Sequence, residues 1–153
     1  MAIEWRREDY TISTDKNKLD VELIHDYLSR QSYWAEGRLV ETVQGSIDNS
    51  LCFGLYQGSI QVGFARVVTD HATFGWLCDV FVVDSHKGRG MGKWLIERVV
   101  AHPDVSDLRH FVLATRDAHE LYRRYGAFEN LEMPEKWMIK HQEERCKQPS
   151  EDG

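Results

Sequence analysis

Cysteine is scarce in this chain of 153 residues: Cys52, Cys78 and Cys146 are the only three, and no two form a C-x-x-C pair. An odd, scattered set argues against a disulfide framework and against a zinc site. Cys52 and Cys78 lie in apolar runs and are expected to pack as small buried hydrophobes. The seven histidines never recur at H-x-x-x-H spacing, so no metal is expected. No apolar run approaches the roughly 20 residues of a membrane helix. The stretch Met1-Ala2-Ile3-Glu4-Trp5-Arg6-Arg7-Glu8-Asp9 carries no apolar signal core, so the expected location is cytoplasmic, with no membrane partner. Excess positive charge is also missing. The net charge of −6 excludes the broad basic face of a general nucleic-acid binder. Internal repeats, low-complexity tracts and dividing linkers are absent too.

What is present is an ordinary globular composition, 42% hydrophobic and 29% charged, long enough for one core around a sheet. One domain is expected over residues 1–141, with a polar tail over 142–153. Tyr10 to Thr14 reads as a short strand, and Asp20 then caps a helix with Leu23, Ile24, Tyr27 and Leu28 on one face. A second helix carries Val40, Val43 and Ile47. Between them, Ser32-Tyr33-Trp34-Ala35-Glu36-Gly37-Arg38 is an aromatic loop whose rings either meet a ligand or plug the loop onto the core.

Leu51 to Tyr56 and Ile60 to Asp70 read as strands joined through Gln57-Gly58-Ser59. A third strand, Gly75 to Val83, is apolar on both faces. Strict alternation puts Leu77, Asp79, Phe81 and Val83 on one of them. A helix over Gly90 to Ala101 follows, with Met91, Leu95 and Val99 in register, then a strand over His110 to Thr115. The last helix is expected to be capped by Asp117, with Glu120 completing a capping box and Gly126 as its left-handed stop. Phe128 to Met133 and Lys136 to Lys140 are expected as closing strands. Hairpins first and strand-helix units later define an α+β fold, a mixed, mostly antiparallel sheet with helices on both faces.

The segment Lys87-Gly88-Arg89-Gly90-Met91-Gly92-Lys93 links the most apolar strand to a helix. A helix N-terminus offers unpaired N–H groups and the positive end of the dipole. Alternating glycines let a diphosphate approach the main chain, while Lys87, Arg89 and Lys93 add charge. A Walker A loop would need glycine at Lys87 and Ser or Thr at Trp94, and a dinucleotide loop would need glycine at Lys93. Both are disfavoured.

The Lys87–Gly92 segment resembles the Q/R-x-x-G-x-G/A signature of the GNAT superfamily of acetyltransferases, with Lys in the first place. Asp79-Val80-Phe81-Val82-Val83 resembles that family's fourth strand. Ala118-His119-Glu120-Leu121-Tyr122-Arg123-Arg124-Tyr125-Gly126-Ala127-Phe128 resembles its A-x-x-L-Y-x-x-x-G-F helix, with Ala127 intervening. The resemblance implies an enzyme that uses acetyl-CoA as co-substrate and transfers the acetyl group to a primary amine of a small molecule or peptide by direct attack. A non-catalytic acyl-CoA-binding module is the alternative, and homodimers are common in the family.

Residue by residue, the resemblance implies pantetheine pairing with the backbone of Phe81, Val82 and Val83. It implies pyrophosphate binding by the amides of Lys87, Gly88, Arg89, Gly90, Met91, Gly92 and Lys93. Tyr122 matches the tyrosine of the family's last helix, which implies the general acid, and its phenol is protonated at neutral pH; the competing reading is a core aromatic. Asp79 is a candidate base whose pKa desolvation would raise, or else the ion-pair partner of Arg66. Tyr33, Trp34, Arg38, Arg66 and Trp76 are candidates for the acceptor pocket by fold analogy.

Overall fold

The structure, a computed structural model, describes residues 1–144. Residues 145–153 of the expected tail, and Cys146, lie outside the described residues. Glu4–Arg7 (β1) and Tyr10–Ser13 (β2) form an antiparallel hairpin, whose first strand the sequence pattern did not suggest. Val21–Asp26 (α1) starts where the Leu23 N–H donates to Asp20 Oδ1 at 3.0 Å, and continues as a π-helical turn over Tyr27–Gln31. Val40–Asp48 (α2) packs beside it. Leu51–Gln57 (β3), Ile60–Thr69 (β4) and Phe74–Val82 (β5) are successive antiparallel strands. Then come Met91–Ala101 (α3), a short Pro-initiated helix Pro103–Ser106 (α4), His110–Leu113 (β6) and His119–Gly126 (α5).

The six strands lie in the order β1-β2-β3-β4-β5-β6, with only β5 and β6 parallel. The fold is therefore α+β, with a mostly antiparallel sheet covered on both faces. One core, built on Ile12, Phe53, Val67, Leu95 and Val99, lies under α3 and α5. The other, with Ile24, Leu28, Val43, Phe64 and Phe81, lies under α1 and α2. Leu95, Ile96 and Val99 are fully buried. At about 1.5–3 kcal/mol each, these side chains anchor α3 so that its N-terminus stays beside the end of β5.

Strict alternation fails in β5. Arg66 pairs with Cys78 and Phe64 with Phe81, so Asp79 and Val80 together oppose Ala65. This is a β-bulge, and Asp79 takes φ 54°. Its consequence is a change of face: Leu77 and Val82 join the core under α3, whereas Phe81 joins the core under α1 and α2.

The end of α5 also differs from expectation. Asp117 does not cap it; Ala118 is the N-cap residue, and its N–H donates to Thr115 Oγ1 at 3.1 Å. The left-handed residue is Ala127, at φ 58°, while Gly126 remains helical. A Cβ on Gly126 would lie 2.8 Å from the Phe128 ring and 3.1 Å from Ile96, so glycine serves close packing there rather than a turn. Neither expected closing strand forms: the described residues after α5 are irregular apart from a 3-10 turn at Pro134–Lys136. Pro134 has no N–H to give a ladder. The segment instead spans an apolar hollow beside β6, with the Trp137 ring edge-on to His110 at 6.2 Å.

Candidate active site

Two features beside the sheet create the site: a glycine loop that leads into the N-terminus of α3, and a gap between β5 and β6. The loop begins where β5 stops, its exit fixed by the Val83 N–H donating to the Val62 carbonyl at 2.9 Å. Gly88 and Gly90 take φ 80° and 78°. A Cβ on either would meet nothing within 4 Å, so glycine is required by the backbone angle and not by space. Gly90 is the N-cap of α3 and supplies no side-chain acceptor. The first intrahelical bond runs from Trp94 to the Gly90 carbonyl, which leaves the N–H groups of Met91, Gly92 and Lys93 without an intrahelical partner. Lys87 Nζ stands 2.7 Å from Asp84 Oδ1, and this bond raises the lysine pKa. Lys93 Nζ lies 5.3 Å from the centre of the Tyr125 ring.

Sequence reasoning missed the residues that hold this loop. Buried Tyr10, on β2, accepts a bond from Arg89 Nη1 at 3.1 Å and stands 2.9 Å from His86 Nδ1. The accepted bond leaves the phenol proton free to be donated to His86. Tyr10 is more than 70 positions from both His86 and Arg89, and no local pattern connects it to them.

The gap opens because β5 and β6 are paired only from Phe74↔His110 to Leu77↔Leu113. Beyond Leu77 the bulge turns β5 away, and Ala114 to Ala118 carry the other wall toward α5. The resulting cleft has a volume of about 360 Å³ and is lined by Tyr33, Trp34, Trp76, Cys78, Asp79 and Tyr122 among others. Tyr33 and Trp34 meet edge to face at 5.1 Å. The Arg116 N–H donates to Tyr33 Oη at 3.0 Å, and the Arg116 guanidinium lies 3.9 Å above the Tyr33 ring. The aromatic loop thus bridges from α1 to the β6–α5 connection.

Asp79 lies in this wall with its carboxylate engaged on all sides. Trp34 Nε1 donates to Oδ1 at 2.9 Å, Arg66 Nε to Oδ2 at 2.9 Å, and Arg38 Nη1 to Oδ2 at 3.1 Å. The ion pair with Arg66 is present, and Arg66 reaches Asp79 from behind, also donating to Ser50 Oγ at 3.0 Å. Tyr122 faces the cleft from α5. Burial pushes its phenol up to about 12, so it holds its proton throughout the neutral range. The Cys78 thiol is likewise raised by burial, to about 12, and is a packing group in this wall. Phe81 stacks on Tyr27 at 4.0 Å, so its side chain is committed to the core.

A mixed sheet that splits beside a glycine-rich helix N-terminus, with a protonated phenol in the split, defines an acyl-transfer architecture. Comparison with known proteins agrees. The acetyltransferase (GNAT) domain family matches residues 48–126, just over half of the chain. A Gibberella zeae protein bearing an acetyltransferase name is 33% identical across 77% of this chain and 78% of its own length. A crystal structure from Xanthomonas campestris pv. campestris, described as of the GNAT family, is 48% identical with a TM-score of 0.84, covering 87% of this chain and 93% of that one. A Clostridium acetobutylicum structure, determined with acetyl-CoA, shares the fold at TM-score 0.62 and 13% identity over 92% of this chain and 96% of that one. The chain belongs to the GNAT acetyltransferase family.

Proposed function

We propose that this chain transfers the acetyl group of acetyl-CoA to a primary amine of a small molecule or peptide, by direct attack within a ternary complex. The observation that carries the reading is the convergence of the α3 N-terminus, the outer edge of β5 left open beyond Leu77 and the Tyr122 phenol on one side of the sheet. In this reading the amides of Gly88 to Lys93 hold the pyrophosphate, and the backbone of Phe81 to Val83 pairs with the pantetheine arm. The thioester then lies in the split.

The neutral amine nitrogen attacks the thioester carbonyl carbon, forming the C–N bond; collapse breaks the C–S bond and leaves a thiolate. Tyr122 donates the proton that the departing sulfur takes. The incoming ammonium first gives one proton to solvent through the cleft and so becomes that neutral amine; the second proton, lost from nitrogen as the amide forms, restores the Tyr122 phenol by way of solvent. Asp79, its lone pairs committed to three donors, acts as a positioning residue that keeps Trp34 and the aromatic loop in place. The test is thiol release over a panel of amines beside calorimetric binding of acetyl-CoA. Turnover with at least one amine supports the reading; tight binding with no turnover on any amine replaces it with a non-catalytic acyl-CoA-binding module.

A further inference from the structure

Asp79, in the cleft wall, meets two arginines where one would balance its charge. Asp79 is matched by Arg66, whose Nε lies 2.9 Å from Oδ2, and both side chains are buried. Arg38 is the surplus cation. Its side chain is only 12% exposed, and its backbone carbonyl is held by His25 Nε2 at 3.0 Å. One nitrogen, Nη1, reaches Asp79, which leaves the other edge of the guanidinium without a partner in the sheet or helices.

That edge is filled by a carboxylate from the far end of the chain. Arg38 Nε donates to Glu144 Oε2 at 2.9 Å and to Oε1 at 3.0 Å, and Nη2 reaches Oε1 at 2.8 Å. This is the two-pronged geometry by which arginine recognises free carboxylates. Beyond Trp137, which packs edge-on to His110, the segment that delivers Glu144 is exposed: Met138 is 97% exposed and Ile139 84%. Glu144 is therefore a ligand on a tether. Arg116, on the opposite wall, has Asp117 at 3.6 Å, so that wall is close to neutral and Arg38 is the charge that selects.

We infer that Arg38 is the carboxylate-binding point of the acceptor side, that the acceptor is an amine carrying a carboxylate, and that Glu144 stands in for that carboxylate. The inference rests on reading the cleft of Trp34, Asp79 and Tyr122 as the acceptor side. An acid bound at Arg38 displaces Glu144 and places its amine beside Trp34, one guanidinium away from the cleft wall.

The experiment uses the full chain, Glu144→Gln and Arg38→Met, with matched pairs of amino acids and their C-terminal amides at saturating acetyl-CoA. Thiol release is expected for the acids, with KM at least tenfold below that of the paired amides. A surface-type pair contributes about 0.2–1 kcal/mol, so removing the internal competitor lowers KM for the acids roughly two- to sixfold in Glu144→Gln. Arg38→Met abolishes the preference for acids. Amides that turn over as well as acids overturn the inference while leaving the acetyltransferase reading intact. An unchanged KM for the acids in Glu144→Gln also overturns it, making Glu144 a surface clasp only. If acetyl-CoA binds but no amine of either set reacts, N-acetylglycine is titrated into the CoA-bound protein and the Trp34 indole N–H resonance is followed. Tighter binding in Glu144→Gln than in the unaltered chain, lost in Arg38→Met, supports the carboxylate site; no shift in any variant overturns it.

Discussion

Replacing Asp79 by Asn separates its two possible duties. The carboxylate is 2% exposed, and the two guanidiniums that grip it are 9% and 12% exposed. Removing one partner of a buried ion pair leaves uncompensated charge and typically costs about 3–5 kcal/mol. Asn keeps the shape and one acceptor oxygen, so the expected loss is at the lower end, about 3 kcal/mol. At roughly 2–4 °C per kcal/mol for a chain of this size, Tm falls by about 6–12 °C. Adding Arg66→Met removes one orphaned charge, and the double variant should recover part of the loss. Urea denaturation and thermal melts of the three variants measure this. A loss below about 1 kcal/mol, or a double variant whose two losses simply add, would refute the anchoring account. In the same Asp79→Asn protein the acidic limb of the pH–rate profile should persist, because the proton-accepting step does not depend on this carboxylate; a vanished limb would restore Asp79 as the base.

Tyr122→Phe should lower kcat by about a hundredfold or more, the usual weight of a general acid, while calorimetry shows acetyl-CoA affinity within about twofold; unchanged kcat discards the assignment. Gly90→Ala forces a Cβ into φ 78° and should weaken acetyl-CoA binding with a stability loss of about 1 kcal/mol; equal affinity by calorimetry would detach the loop from the cofactor. Burial raises the Cys52 thiol to about 11, and the Cys78 thiol and Tyr122 phenol to about 12. Each is an acid whose proton the folded state keeps after the unfolded chain has released it. Stability is therefore fully present below the ordinary thiol range and falls as pH rises from about 9 toward 12. A melting temperature that stays flat between pH 8 and pH 11 would contradict this.

Local chemistry was readable from the chain alone. The glycine loop, the apolar strand before it, the period of α3 and the placement of Tyr122 depend on near-neighbour spacing, which a linear sequence displays directly. The family resemblance rested on those same segments. What escaped was whatever depends on partners distant in sequence. Nothing in Asp79-Val80 announces a bulge, because the extra residue is defined only by the pairing with Ala65 across the sheet. The closing strands look plausible by their apolar content, yet strand identity needs a neighbour, and with Pro134 in the segment none pairs there among the described residues.

The sequence by itself therefore determined the glycine loop that leads into α3 and the acetyltransferase class, since Gly88 and Gly90 carry left-handed backbone angles that only local sequence has to permit. Only the tertiary structure decided how the surroundings of Asp79 in the cleft wall are charged. Trp34 and Arg38 share one loop, while Arg66, Asp79 and Glu144 come from three other stretches, and their charges balance or fail to balance only once the fold brings hydrogen-bonding partners within about 3 Å. Coulombic and hydrogen-bond energies fall away over a few ångströms, so the surplus cation at Arg38 is a property of the folded arrangement and is written nowhere in the order of the residues.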